Sequence, residues 1–144
     1  MPQDLGAEPG TSGDATEVVR AYFDGYARAL TAGDAATIAS LWEAPALVLS
    51  DEGSHAVESQ NEVRAFFSGA KERYNAHGIV ETRAHLLALS WPTERIAIAR
   101  VRWPLLDEDG NELGEESTTY TLRRDDNGKL RVRVAVAHGT TTRH

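Results

Sequence analysis

The chain has 144 residues, a length that suits one domain with a substantial core. Fifteen basic residues against 22 acidic ones give a net charge of −7, which repels phosphate backbones and argues against nucleic acid as a partner. Cysteine is absent, which excludes a disulfide framework, a thiolate nucleophile and a cysteine-ligated metal, and no apolar run approaches the roughly 18 residues of a membrane-spanning helix.

Residues 1–13, MPQDLGAEPGTSG, are expected to form a flexible tail. They have neither the basic start nor the apolar segment of a signal peptide, so a cytoplasmic location is expected. One domain is then predicted over 14–139, with a short tail at 140–144. Asp14 and Glu17 have capping-box spacing, and Val19, Phe23, Tyr26 and Leu30, with Tyr22 beside them, form one apolar stripe of helical period. Gly33 is a helix stop, and Asp34 can cap a second helix whose Ile38, Leu41 and Trp42 share a face. Pro45 is expected to end it. Ala46–Leu49 reads as a strand, Asp51-Glu52-Gly53-Ser54 as a turn, and His55-Ala56-Val57 as the returning strand.

Ser59 and Glu62 repeat the capping-box spacing ahead of a third helix, with Val63, Phe66, Phe67, Ala70 and Tyr74 on its apolar face and Gly78 at its end. The pattern then switches to period two. Strands are predicted at 80–90, 95–105, 116–123 and 130–138, and Asn127-Gly128 marks a hairpin before the last. Helices segregated from an antiparallel sheet give an α+β fold.

Alternation sorts the faces. Ala97, Ala99, Val101 and Trp103 are expected to point inward, the two alanines leaving pocket volume. Ile96, Ile98, Arg100 and Arg102 point outward, on a partly apolar surface that a second copy could cover. In the last strand Val132, Val134, Val136 and His138 are expected on the buried face, with Arg131 and Arg133 outside. His85 shares a face with Leu87 and Leu89.

The short helix ending in Leu41-Trp42, the strand Ala46-Leu47-Val48, the following helix, and the hairpins closing on LRVRVAVAHG resemble the nuclear transport factor 2-like superfamily. Its SnoaL-like and steroid-isomerase-like branches are the most similar, over Ala15 to Gly139. The resemblance implies a cone-shaped α+β barrel: three helices packed in the concave face of a strongly curved, mostly antiparallel sheet, with a pocket at the open end. It also implies a homodimer through the outer sheet face. Enzymes of the superfamily project carboxylates, tyrosines or histidines into that pocket. The general-base aspartate of the steroid isomerases corresponds to Ser50 here, and Asp51, one residue later, belongs to the turn. Arg100 and Arg102 lack the partner acids of an epoxide-hydrolase-like constellation.

The candidate catalytic pair is His138 as general base and Tyr26 as oxyanion donor. Candidate ligand contacts are Tyr22, Tyr26, Trp42, Ser50, His85 and Trp103. Each aromatic also has a packing reading, because a stripe at helical spacing is ordinarily core. Each histidine also has a reading as a hydrogen-bonded structural residue. No metal-ligand spacing, phosphate loop or dinucleotide fingerprint occurs, so neither metal nor cofactor is expected. Three functions are compatible: binding of a small, largely apolar molecule, isomerase, cyclase or hydrolase chemistry on a ring compound, and a dimeric association module.

Overall fold

The computed structural model describes residues 9–142, with side chains placed over 15–140; of the expected tail at 1–13, residues 1–8 lie outside the described residues and 9–13 belong to the first helix, and 143–144 of the expected C-terminal tail also lie outside. Helix α1 spans Pro9–Ala32. It therefore starts ahead of Asp14, and the Asp14/Glu17 pair falls inside it. Its stripe is the inner face as expected: Val19, Phe23 and Tyr26 are at most 2% exposed. The helix ends in a Schellman arrangement, with Asp34 N donating to Ala29 O (2.9 Å) and Gly33 N to Leu30 O (3.2 Å). Gly33 takes φ 72°, open to glycine without strain. Asp34 then caps α2 (Ala35–Ser40), its carboxylate accepting from Thr37 N at 3.1 Å.

Leu41 terminates α2, and Trp42 opens strand β1 (Trp42–Ser50). This corrects the sequence reading, which kept Trp42 on the helix and used Pro45 to end it. Pro45 lies within the strand, after a cis Ala44–Pro45 bond. Strand β2 (Gly53–Val57) returns as the expected hairpin. The third helix is present in two pieces, α3 (Gln60–Phe67) and α4 (Ala70–Asn75). It breaks at Gly69, whose φ of 85° interrupts the helical path. Ser59 caps α3, accepting from Glu62 N at 3.2 Å. The predicted strand 80–90 likewise divides, into β3 (Glu81–Thr82) and β4 (His85–Ser90), both paired to β5 (Ile96–Leu106). Strands β6 (Glu112–Arg124) and β7 (Leu130–Thr142) complete the sheet. Strand β7 outruns its expected end at His138, so most of the supposed C-terminal tail is strand.

The described residues form a seven-stranded sheet in the order β2-β1-β7-β6-β5-β3, with β4 also on β5. Among the described residues, only the β1–β7 contact is parallel. It is strongly curved, and the helices fill its concave side, where Val19, Phe23, Tyr26 and Ile38 meet Trp42, Val101, Leu122 and Val132 in one core. No helix among the described residues is long and apolar enough to cross a membrane.

Two bulges in β7 decide what faces the cone. Leu122 pairs with Val132 but Thr121 with Val134, so Arg133 is an extra residue. Thr118 pairs with Ala137 and Glu116 with Thr140, which marks a second irregularity. Each single-residue slip exchanges the faces. The inward series is therefore Val132, Ala135, Ala137 and Thr140, and the expected inward face of Val134, Val136 and His138 is overturned. Arg133 is held at the bulge by Pro45 O (3.2 Å) and the Glu43 carboxylate (3.4 Å), beside the register irregularity of β1 between Trp42 and Leu47.

This assignment predicts unequal costs for two valines that the simple alternation would treat alike. Val132→Ala, at a fully buried site, should lose about 2 kcal/mol from lost burial plus the cavity left behind. Val136→Thr, on the convex face, should change stability by less than about 0.5 kcal/mol. Urea denaturation of both variants checks it, and equal losses would contradict the register.

Candidate functional site

A cavity of about 530 Å³ opens between the helices and the concave sheet. Its floor follows from two tryptophans. An indole N–H donates only, so a buried one needs an acceptor. Trp42 Nε1 donates to the Tyr26 hydroxyl at 2.9 Å, and Trp103 Nε1 donates to the Tyr120 hydroxyl at 3.2 Å. The two phenols are neighbours in the core. Their rings pack at 6.1 Å between centroids, and Tyr26 lies 5.5 Å from Trp103. The result is a continuous aromatic floor from α1 across β1, β5 and β6.

The remaining apolar wall comes from Leu30, Val48, Phe67, Leu105, Ala135 and Ala137. Polar groups are sparse. The Tyr74 hydroxyl on α4 donates to Glu116 Oε2 on β6 at 2.8 Å, and Thr140 Oγ1 reaches the same oxygen at 3.5 Å. Thr118 lies on the same inward face. Lys71, Arg73 and His77 line the cavity from α4 and the residues just after it. Arg73 and His77 are exposed.

Burial raises the pKa of all four tyrosines. Tyr22 and Tyr26 are pushed well above the ordinary phenol value by desolvation first, then by Tyr120 nearby. Desolvation is also the main cause at Tyr120 and Tyr74, with the Glu116 charge adding to it. Each phenol is therefore a neutral hydroxyl near neutral pH.

Of the residues singled out in the sequence, Tyr26, Trp42 and Trp103 line this cavity together. Four others do not. Tyr22 turns to the end of α2, its hydroxyl donating to Leu41 O at 2.5 Å. Ser50 closes the β1–β2 turn, accepting from Glu52 N at 3.2 Å. His85 lies on the convex face, 3.3 Å from Arg102, because a bulge between Leu86 and Ala88 leaves Leu86 and Leu89 as the inward pair. His138 also lies on the convex face, its Nε2 2.7 Å from Thr119 Oγ1. The proposed pairing of His138 with Tyr26 is therefore not formed. Glu116, Thr118 and Tyr120 were missed, although their alternation with buried Leu122 is a period-two signal placing all of them on one face. Tyr74 was legible as helix, but not as the donor to Glu116. Among the described residues no group of three or more His, Asp or Glu could hold a metal ion.

The family described as "NTF2-like protein (DUF6841)" matches residues 15–140 of the chain, spanning α1 through β7. The chain belongs to this NTF2-like family. No curated protein matches it. Among solved structures, a domain of unknown function with a cystatin-like fold from Nostoc punctiforme superposes with a TM-score of 0.69 at 16% identity, covering 93% of this chain and 80% of that one. An NTF2-like protein of unknown function from Shewanella oneidensis gives 0.66 at 14% identity, covering 87% and 99%. A ketosteroid isomerase-like protein from Erwinia carotovora atroseptica gives 0.62 at 11% identity, covering 85% and 93%. At these identities the likeness establishes the cystatin-like NTF2 fold and nothing finer.

The tyrosines of this NTF2-like cone give a direct test. A phenol whose folded pKa exceeds its unfolded value of about 10 stabilises the fold fully below that pH, and the stability is lost as pH rises above it. Spectrophotometric titration should show no tyrosinate in the folded protein at about pH 10, where free tyrosine is half ionised. Ionisation should then appear together with alkaline unfolding. Early titration of even one tyrosine with the fold intact would contradict the burial described.

Proposed function

We propose that this NTF2-like chain binds a small, largely apolar molecule in the cone cavity, in the manner of a SnoaL-like domain. The observation that carries the reading is the cavity itself: about 530 Å³, with indole and phenol rings on its floor and few polar groups on its wall. That size and polarity suit a compact organic ligand, since such pockets are mostly apolar with a few placed polar groups. The ring hydroxyls and indole N–H groups are largely engaged with one another, so the floor offers flat apolar surface. A planar ring system would remove the most water from it. A catalytic mechanism through His85 or His138 does not follow, because both side chains are on the outer face of the sheet.

The test is a thermal-shift series of fused-ring and biphenyl compounds on the purified protein. A ligand at a hundred times its Kd adds about 2.7 kcal/mol, which is a rise of several degrees for a domain of this size. Trp103→Ala should weaken any hit. Absence of a shift from every neutral ring compound would sink the reading.

A second reading concerns the convex face, and a specific observation favours it. Leu87 and Ile98 are 53% and 39% exposed, and Leu47, Leu49, Val134 and Val136 are half-buried there. A partly apolar sheet face of this kind suits a self-complementary contact between two copies. We therefore expect a homodimer through it. Sedimentation equilibrium should give twice the chain mass, and Ile98→Glu should give the folded monomer. A wild-type monomer at high concentration would remove this reading.

A further inference from the structure

Glu116 is the feature of the cavity that an apolar ligand does not explain. A carboxylate on an otherwise apolar inner wall has a solvation cost that grows when a ligand displaces its water. Glu116 is half-buried, and its hydrogen-bond partners are the neutral hydroxyls of Tyr74 and Thr140, both on Oε2. Among the described residues no cation forms a salt bridge with it. The other carboxylate lining the cavity, Glu81, is already paired with Arg83 at 3.1 Å. Of the cavity cations, Arg73 reaches Ser68 O at 3.4 Å. Lys71 Nζ lies 3.0 Å from the Asn75 oxygen once that amide is turned to donate to Ile79 O at 2.9 Å. The Tyr74 proton is committed to Glu116, so this end of the cavity presents an acceptor carrying negative charge.

From this juxtaposition we infer that the ligand is an amine: a molecule with an apolar ring body on the tryptophan–tyrosine floor and a protonated nitrogen at Glu116. The inference rests on the pocket reading above and narrows its ligand class. Two effects favour a cation over a neutral hydroxyl at the same position. An N–H donor that carries charge makes a shorter and stronger bond to a carboxylate than a neutral one does. Trp103, the cross-strand neighbour of Glu116, and Tyr120 close to it also attract a cation through their ring quadrupoles. The net charge of −7 adds a weaker long-range preference of the same sign.

The experiment compares four probes of one skeleton by thermal shift and calorimetry: methylnaphthalene, naphthylmethanol, naphthylmethylamine and naphthoic acid. The amine should bind about tenfold or more tightly than the alcohol, the usual worth of a hydrogen bond to a charged group over a neutral one. In Glu116→Gln, which keeps an acceptor for Tyr74, amine and alcohol should become equal while the hydrocarbon is unchanged. Equal binding of amine and alcohol by the wild type overturns the inference but leaves the pocket reading intact. Preference for the acid overturns it in favour of Lys71 and Arg73 as ligand groups. Binding of none of the four overturns both. The wild-type comparison stands even if the variant folds poorly.

Discussion

Two buried indole N–H groups organise this molecule. Neither Trp42 nor Trp103 can accept a hydrogen bond, and neither N–H can be left unpaired in the core without cost. Their partners, Tyr26 and Tyr120, come from α1 and β6. The first bond ties the long helix to β1, and the second joins the neighbouring strands β5 and β6 beneath it. The third tryptophan shows the contrast. Trp91 Nε1 is buried with no hydrogen-bond partner among the described residues, and its ring lies beneath the Arg124 guanidinium at 4.8 Å. It packs at the margin and ties no two layers together.

The same network explains why a cavity survives. Rings joined through their polar edges cannot slide to fill space, because each shift would break a bond in a low-dielectric setting. The floor is rigid, and on the β7 side the wall above it carries only the small residues Ala135 and Ala137. Volume is left where side chains are short. The polar pair Tyr74–Glu116 stands on this wall and brings α4 to β6. The cavity thus sets a stiff apolar floor beneath the Glu116 carboxylate.

Strand β7 shows how local irregularity acts at a distance. The Arg133 bulge is held by Pro45 O and Glu43, on the neighbouring strand β1. By exchanging the faces of the residues up to the second irregularity, it removes three bulky inward side chains, Val134, Val136 and His138, and substitutes two alanines. A regular β7 would fill the cone with valine and histidine. The bulge thus creates pocket volume and, in the same step, enriches the convex face in apolar side chains.

The sequence alone determined the helix stripe of α1, the Gly33–Asp34 stop and cap, the hairpins, the α+β class and the inward face of β5. Each of these depends on contacts within a few residues or on an uninterrupted period. It also identified Tyr26, Trp42 and Trp103, whose size and spacing leave few alternatives to the core. It could not place His85 or His138. Their directions depend on bulges at Leu87 and at Arg133, and a bulge carries no residue signature when its extra residue is an ordinary one. Tertiary structure decided them, because register is set by pairing with a neighbouring strand. A shift of one residue there is enough to carry a side chain from the pocket to the surface.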